Sequence, residues 1–413
     1  MNKLIRTMAL AALALVLALT AGADDGMWMP HQMKALDLKA LGLQMDPGGL
    51  YKTDGTGLMS AVVNLGGGTG EFVSPEGLVL TNHHVAYGAI QRASSKDRDY
   101  ITDGFLARTR ADEIPAQGYT VGVLLGYEDV TAKVEAYFKP KMTPRQRYDA
   151  FDKASKALVA AGEKAGPDVR CTLASMYSGN AYYLFTFKQI RDVRLVYAPP
   201  QDLGNFGGET DNWMWPRHTC DFSFLRAYVG PDGTAADFSP SNVPYEPKVW
   251  LKVSLDGFQE GDFSFVMGYP GRTYRNYALA ELKADQENMA ARIKDTQDLI
   301  AFYEAAGRAD KEVEIRYAGL VKGLYNGLKN RQGKLEGFVK YGLVDKKAAQ
   351  EKELLDWIAA DPARTAKYGA APAALEAFLA RQKAFGARTE LLNGVLGGST
   401  VLNQAYTIVR AVP

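Results

Sequence analysis

The sequence predicts a β-rich region followed by an α-helical region. Up to about residue 275, short segments rich in Val, Phe, Leu, Tyr and Thr alternate with Gly and Pro, which is typical of strands and turns. Beyond residue 276 only three of the eighteen prolines occur, and apolar residues recur at helical spacing. The length of 413 residues also favours more than one domain. We therefore predict a β-rich domain over residues 24–275 and an α-helical domain over residues 276–413.

The overall composition argues against binding to nucleic acid or to an anionic membrane. The formal net charge is +1, which provides no strong attraction to nucleic acid or to an anionic membrane surface. The hydrophobic fraction of 47% suffices for sizeable cores, and the chain contains no low-complexity tract or repeat. We therefore expect no nucleic-acid partner.

Residues 1–23 have the features of a secretory signal peptide. Lys3 and Arg6 form a positive start, residues 8–19 form an apolar run, and residues 21–23 are small, as at a signal-peptidase site. The run is shorter than the roughly 20 residues of a membrane span, and a retained membrane anchor is the alternative. We predict cleavage after Ala23 and a mature protein in the periplasm or at the cell surface, without a membrane partner.

The segment 65–85, LGGGTGEFVSPEGLVLTNHHV, is predicted to form a β-hairpin. Its two strand-like parts are separated by the turn residues 75–77, and the second strand leads to His83 and His84. A histidine held by a rigid strand is suited to proton transfer near neutral pH. The alternative is a pair of histidines without any chemical role.

Further elements are predicted in order along the chain. Thr143 has the features of an N-cap, with Pro at the first helical position and Gln three residues after the cap. This pattern predicts a helix that runs to about residue 165. The other predicted elements before residue 276 are a helix over 31–43, strands over 58–65, 119–127, 222–229, 250–255 and 263–269, and two strands within 182–197.

The predicted helical domain shows two patterns. Apolar residues recur at helical spacing through positions 279–300. Gly319, Gly323 and Gly327 are each four residues apart, so they share one face of a helix and would permit a close contact with another element.

The histidines, cysteines and glycines form no motif for a metal or a cofactor. The chain has four histidines and two cysteines, without a His-Glu-x-x-His or Cys-x-x-Cys pattern. The glycine run at 66–70 lacks the Gly-Lys-Ser/Thr ending that holds phosphate. We therefore predict neither metal nor cofactor. Cys171 and Cys220 could pair in an oxidising compartment, and the sequence leaves their pairing open.

The order of His84 and Asp221 fits nucleophilic catalysis by a serine. Such a triad needs a histidine base, a carboxylate that fixes the tautomer of the histidine, and a serine nucleophile. His84 ends one predicted strand, and Asp221 opens another strand after a loop, in the His-then-Asp order of the chymotrypsin-like fold. The alternative for Asp221 is a turn carboxylate that opens a strand.

Several motifs carry a resemblance to a known family. The histidine segment is similar to that of trypsin-like bacterial proteases, and a Trp-rich segment is more specific. GLVLTNHHV at 77–85 and GYPG at 268–271 carry the similarity to trypsin-like proteases. The more specific segments are MWMP at 27–30, GEFVS at 70–74, TNHH at 81–84 and DNWMWPRHT at 211–219, which leads into DFS at 221–223. Over essentially the whole mature chain, the sequence resembles the bacterial dipeptidyl-peptidase 7 and 11 family of serine exopeptidases.

The resemblance implies a fold, an activity and site residues. The fold is a chymotrypsin-like double β-barrel catalytic domain, incomplete here, with an inserted α-helical domain. The activity is release of dipeptides from the free N-terminus of oligopeptides, and relatives tend to form homodimers. By the resemblance His84 is the general base, because it directly precedes a position that is cysteine in relatives, and Asp221 orients it. Asn212 and Trp213 match positions that bind the substrate α-ammonium group and shape the first subsites.

The sequence departs from the family pattern at two places. Relatives usually carry cysteines where this chain has Gly68 and Val85, which indicates the loss of one disulfide near the base. The family's serine lies in a Gly-Gly-Asn-Ser-Gly-Ser-Pro-like segment after the helical domain, and Ser399 lacks the following glycine. We therefore expect an incomplete chain of an active enzyme, whose side-chain preference is not predicted here. The alternatives are a truncated, non-catalytic peptide-binding homologue and a trypsin-like endoprotease.

Overall fold

The computed structural model describes residues 27–271, 274 and 276–411. The predicted signal peptide lies outside these residues. A β-rich region precedes a large helical region, as predicted, and the domain boundary at residue 275 stays a prediction. Among the described residues, no helix combines the length and the apolar character needed to cross a lipid bilayer.

The β-rich region contains eleven strands and five short or medium helices. The strands are β1 Val62–Asn64, β2 Thr69–Phe72, β3 Leu78–Thr81, β4 Phe105–Leu106, β5 Ile114–Pro115, β6 Val121–Asp129, β7 Val169–Met176, β8 Ala181–Ile190, β9 Asp192–Ala198, β10 Ser223–Val229 and β11 Val243–Pro244. The helices are α1 His83–Ala93, α2 Tyr100–Asp103, α3 Thr131–Glu135, α4 Pro144–Glu163 and α5 Gln201–Gly204.

The eleven strands belong to one antiparallel sheet that curls strongly. Its main order is β4-β9-β10-β3-β2-β1-β6-β8-β7, with β5 beside β9 and β11 beside β10. The chain passes from β8 to β9 through the single residue Arg191, although five strands separate these two in the sheet order. The sheet must therefore bend round until its distant strands meet. A double barrel stays a prediction.

The predicted hairpin is confirmed as β2 and β3. Phe72 pairs with Val79 and Gly70 with Thr81 in an antiparallel register. Gly77 has a φ of +67°, and a Cβ there would lie 2.7 Å from the carbonyl oxygen of Tyr245. Glycine is therefore required at this turn by both conformation and space.

Helix α1 follows β3 almost without interruption, and the sequence prediction missed it. Its buried residues include His83, Ala86, Tyr87 and Ile90, at the spacing of a helix face that packs on a core. The main core contains this face together with buried side chains of the sheet, such as Phe72. The sheet and α1 thus form one packed unit that fixes the start of the helix.

Helix α4 begins as predicted, whereas three predicted elements are wrong. A fourth, the strand predicted over 58–65, is wrong in its first half, which is the 3-10 helix Leu58–Ala61. Thr143 and Gln146 form the expected reciprocal cap of α4. Residues 31–43 hold only the 3-10 turn Gln32–Ala35, because the backbone becomes extended at Leu36 and the helix ends there. The leucines that follow belong to a small separate cluster. Residues 250–255 and 263–269 are irregular. They form isolated hydrogen bonds but do not pair continuously with any of the described strands.

The helical region consists of α6 Leu279–Ala309, α7 Lys311–Lys340, α8 Leu343–Ala359, α9 Pro362–Tyr368, α10 Ala371–Gly397 and α11 Thr400–Ala411. Helix α7 contacts α1 through the Gln91 amide, which donates to the carbonyl oxygen of Ile315 at 2.7 Å. A Cβ at Gly319 would lie 2.6 Å from the Gln91 side-chain oxygen, so the predicted close contact occurs at this glycine. A Cβ at Gly323 would meet no described atom within 4 Å, so the prediction fails there. Helix α7 is therefore positioned directly against the helix that begins with the two histidines.

Candidate active site

His84 and Asp221 form a short hydrogen-bonded pair at the edge of the sheet. Strands β3 and β10 are antiparallel neighbours in which Thr81 pairs with Ser223, so the segments that flank them meet. The Nδ1 atom of His84 lies 2.7 Å from Oδ2 of Asp221. The His84 backbone N–H also donates to Oδ1 of the same carboxylate at 3.0 Å. The structure thus brings together two of the predicted site residues.

The Asp221 carboxylate is well anchored and half-buried. The Asn82 amide donates to Oδ2 of Asp221 at 3.3 Å and to its carbonyl oxygen at 3.2 Å. Burial raises the pKa of the Asp221 carboxyl, but hydrogen bonds from the His84 ring and backbone more than offset this, and the pKa lies below its ordinary value. Asp221 is therefore ionised at neutral pH.

This geometry sets the tautomer of His84. An ionised carboxylate accepts hydrogen bonds only, so Nδ1 carries the proton and Nε2 of the neutral ring has a free lone pair. The His84 side chain is 55% exposed, and Nε2 has no hydrogen-bond partner among the described residues. The ring can therefore accept a proton at Nε2 while Asp221 stabilises the resulting imidazolium.

His83 has the opposite environment. Its ring is fully buried, and neither ring nitrogen has a hydrogen-bond partner within the described part of the chain. It packs against Gly204, where a Cβ would lie 2.7 Å from the ring, and edge-on against Tyr87. Burial, together with the nearby positive charge of Lys322, lowers the pKa of His83 to about 4. His83 is thus a neutral packing residue near pH 7.

Asn212 and Trp213 form a second cluster, which includes a residue that the sequence analysis missed. The Asn212 amide donates to Oδ1 of Asn326 at 3.1 Å, and the Trp213 indole N–H donates to the same atom at 3.0 Å. Asn326 lies on α7, more than a hundred residues further along the chain. No local pattern marks this position, since a single asparagine in a helix has no characteristic spacing.

Two charged residues fix the orientation of the Asn212 amide. The Arg217 guanidinium donates to Oδ1 of Asn212 at 3.0 Å. The Glu209 carboxylate accepts a hydrogen bond from the amide nitrogen at 2.9 Å. Donor and acceptor on opposite ends of the amide determine which end is oxygen. Asn212 therefore presents a fixed carbonyl oxygen that still has one unused lone pair.

Two cavities lie near these residues and share no lining residue. The larger, of about 570 Å³, lies between α1 and the α6–α7 pair and is bordered by Glu209 and Lys322. The smaller, of about 300 Å³, is bordered by His84, Val85 and Tyr119. The described residues therefore offer space on both the Glu209 side and the His84 side.

Gly68 and Val85, where the resemblance implies cysteines in relatives, are in contact here. A Cβ built on Gly68 would lie 3.3 Å from Cβ of Val85 and closer still to its methyl groups. The resemblance implies that a disulfide links these positions in relatives, and their contact agrees with that implication. The two cysteines of this chain are both free, with Cys171 buried and Cys220 exposed, so the pairing left open by the sequence does not occur.

Comparisons with known proteins agree on one family. The family model described as Peptidase S46 matches residues 23–412. The Asp/Glu-specific dipeptidyl-peptidase of Porphyromonas endodontalis is 38% identical over 407 residues, which cover 95% of this chain and 56% of the relative. Dipeptidyl-peptidase 7 of Porphyromonas gingivalis is 36% identical over 403 residues, which cover 96% and 56%.

A solved structure gives the same result for the fold. The crystal structure of Porphyromonas endodontalis DPP11 in complex with the dipeptide Arg-Asp superposes with a TM-score of 0.78 at 37% identity. The match covers 89% of this chain and 53% of that one. The chain spans about half the length of the curated relatives it matches. On this similarity the chain belongs to the peptidase S46 family.

Proposed function

We propose that this chain provides the general base and the orienting carboxylate of a serine-type dipeptidyl-peptidase that acts on oligopeptides. The observation that carries the proposal is the 2.7 Å contact between Nδ1 of His84 and Oδ2 of Asp221, with Nε2 left free. The similar proteins are named as dipeptidyl-peptidases, which supports the same reaction class. The nucleophilic serine is expected outside the described residues.

The proposed mechanism uses His84 twice. Nε2 first takes the proton from the serine hydroxyl as the oxygen attacks the second peptide bond from the N-terminus. The imidazolium then gives this proton to the nitrogen of the leaving peptide, and the acyl-enzyme is hydrolysed by water. Asp221 remains ionised throughout, holds the ring by Nδ1 and stabilises its positive charge.

The second cluster supports recognition of a free N-terminus. An α-ammonium group needs oriented acceptors, and the fixed carbonyl oxygen of Asn212 is one. Asn326 positions both residues, because its side-chain oxygen accepts hydrogen bonds from the Asn212 amide and from the Trp213 indole. Trp213 is 57% exposed and supplies an apolar wall beside them. An ammonium group bound here would limit how many residues fit before the scissile bond, which makes the enzyme an exopeptidase.

The finer features of the proposal follow from the fold and the N-terminal sequence. The curled sheet supports one barrel of a chymotrypsin-like double-barrel fold. The signal-like residues 1–23 support a location in the periplasm or at the cell surface. We also propose that the protein forms a homodimer, as the resemblance implies.

The test uses the complete gene product and dipeptide release from unblocked peptides. Changing His84→Ala should lower kcat/KM by about 10³-fold, within the usual range for loss of a general base. The matched control is His31→Gln, which alters a histidine that contacts Tyr127 on another part of the sheet. Full activity of the His84 variant would contradict the assignment.

Blocked substrates test the exopeptidase proposal separately. An N-acetylated peptide removes the positive charge of the N-terminus and should not be cleaved. Cleavage of such peptides would favour a trypsin-like endoprotease. Binding of unblocked peptides without turnover would favour a non-catalytic peptide-binding protein.

A further inference from the structure

The smaller cavity begins at the catalytic histidine and ends at an arginine of the same helix. Its lining includes His84, Val85, Leu65, Tyr119 and Arg92. The Tyr119 hydroxyl donates to the carbonyl oxygen of Val85 at 2.6 Å, which fixes this wall to the first turn of α1. The cavity therefore has a defined shape beside the atom that moves the proton.

The Arg92 guanidinium is directed back toward His84. Side chains on a helix lean toward its N-terminus, and His84, Gly88 and Arg92 are spaced four residues apart. A Cβ at Gly88 would lie 3.4 Å from both terminal nitrogens of Arg92 and 3.1 Å from the Tyr119 hydroxyl. The guanidinium thus covers the backbone four residues, or about 6 Å along the helix axis, beyond His84.

No carboxylate in the described part of the chain balances the charge of Arg92. The guanidinium lies 5.4 Å from the centre of the Tyr119 ring, a cation–π contact. No carboxylate of the described residues lies within the 4.0 Å of an ion pair with it. Gly118, on its other side, carries no charge. An unpaired guanidinium in a cavity favours a carboxylate, which it can bind through two parallel hydrogen bonds.

The cavity lies on the side of His84 where the leaving half of the substrate would bind. In the proposed function the acyl half is held through its ammonium group near Asn212, and the cavity on that side is bordered by Glu209. His84 must give its proton to the leaving nitrogen, so the residue after the scissile bond passes beside its ring. The cavity of His84 and Arg92 is the space available on this other side.

We propose that this cavity binds the first residue after the scissile bond and that Arg92 gives it a preference for a carboxylate. The carboxylate is either an acidic side chain at the third position of the substrate or the C-terminus of a tripeptide. The inference rests on the proposed function and adds a specificity-determining residue to it. Because Arg92 is largely exposed, the selectivity should be modest and sensitive to salt.

The experiment measures selectivity ratios within each enzyme, so a general loss of activity cancels. The complete gene product cleaves pairs of C-terminally amidated hexapeptides that differ only by Asp or Asn at the third position. A second pair compares a tripeptide with a free C-terminus and the same tripeptide amide. A dipeptidyl arylamide, which has a neutral leaving group, reports dipeptidyl-peptidase activity by itself. The variants are Arg92→Gln, Arg92→Lys and the control Lys96→Gln, which removes a charge from an exposed loop residue.

We expect the wild type to prefer the carboxylate member of at least one pair. Arg92→Gln should lower that preference by about fivefold, the upper range for an exposed ion pair. Arg92→Lys should retain part of it, and Lys96→Gln all of it. Raising the ionic strength to about 0.5 M should reduce the preference in the wild type and have little effect in Arg92→Gln.

The outcomes separate the inference from the proposed function. A response of the hexapeptide pair identifies an acidic side chain as the ligand, and a response of the tripeptide pair identifies the C-terminal carboxylate; both support the site. If wild type and Arg92→Gln have equal ratios on both pairs while the arylamide is cleaved, the role of Arg92 is wrong. If the wild type cleaves neither the arylamide nor any peptide, the proposed function itself fails.

Discussion

His83 and His84 are adjacent in the chain, yet their surroundings differ in every respect that matters for chemistry. The His83 ring is buried against Gly204 and Tyr87, without a hydrogen bond among the described residues. The His84 ring is more than half exposed and lies 2.7 Å from an ionised carboxylate. Successive residues of a helix point about 100° apart, so the first turn of α1 directs one ring into the core and the other to the edge.

The comparison shows two different ways of holding an imidazole. Packing holds His83, and its burial keeps it neutral, so it is unsuited to proton transfer near pH 7. Hydrogen bonds hold His84, which leaves one nitrogen open to substrate and gives a charged ring a partner. The buried site should therefore affect stability and its pH dependence, whereas the exposed site should affect turnover.

The largest expected effect is the loss of turnover that Asp221→Asn should cause in the complete gene product. The amide can donate to Nδ1 of His84, which would place the ring proton on Nε2 and remove the lone pair that accepts the serine proton. It also removes the charge that stabilises the imidazolium. We expect kcat for dipeptide release to fall by about 10³- to 10⁴-fold, with little change in KM.

A matched substitution shows whether this effect belongs to the site. Asp202→Asn makes the same chemical change on the exposed helix α5, close in sequence to Asp221. It should leave kcat within a factor of about two, since isolated surface changes have small effects. Equal losses of kcat in both variants, or an unchanged kcat in Asp221→Asn, would contradict the proposal that His84 and Asp221 act together in turnover.

The contrast between the two histidines could be predicted only in part from the sequence. The strand β3 follows from the turn residues and the apolar run, but His84 lies in the first turn of helix α1 and not on the strand. The choice between the two rings came from the resemblance, because a strand alone does not specify which neighbour faces the core. Helix α1 was missed, although its buried residues at 83, 86, 87 and 90 have helical spacing.

Contacts over long distances in the chain were less predictable than local elements. The cap at Thr143 depends on residues three apart and was predicted correctly. The contact of Asn326 with Asn212 and Trp213 depends on how α7 packs against α1, which no local pattern records. The irregular segments 250–255 and 263–269 had strand-like composition, but a strand also needs a partner, and composition does not supply one.

The second-largest expected effect is on the pH dependence of the unfolding free energy, which His83→Gln should change. His83 has a folded pKa of about 4 against 6.5 when exposed, so the unfolded chain binds more protons below pH 6.5. Stability from this residue is fully present above pH 6.5 and is lost as pH falls to about 4. The loss should reach about 3 kcal/mol of unfolding free energy.

The measurement is urea unfolding at several pH values between about 7 and 4. The His83→Gln variant should be less stable at neutral pH, because its amide is buried in an apolar site. Its unfolding free energy should also depend less on pH, because the contribution of His83 is lost. An identical slope in wild type and His83→Gln would show that the buried ring does not titrate as this comparison requires.

The smallest expected effect comes from adding a covalent restraint beside the exposed histidine. Gly68→Cys with Val85→Cys would place sulfurs where relatives usually carry cysteines, and the 3.3 Å between Cβ positions is slightly below the usual 3.5–4.5 Å of a disulfide. Closing this loop should raise the free energy of unfolding by about 1–3 kcal/mol. Cys220→Ser should be present in every sample, because Cys220 is exposed and could pair wrongly. The higher Tm should vanish in reducing agent, while a Tm that does not depend on reducing agent would show that the positions cannot be linked without strain. A higher kcat in the oxidised protein would mean that the disulfide restrains His84 further. Hydrogen bonds alone would then hold His84 less firmly than packing holds His83.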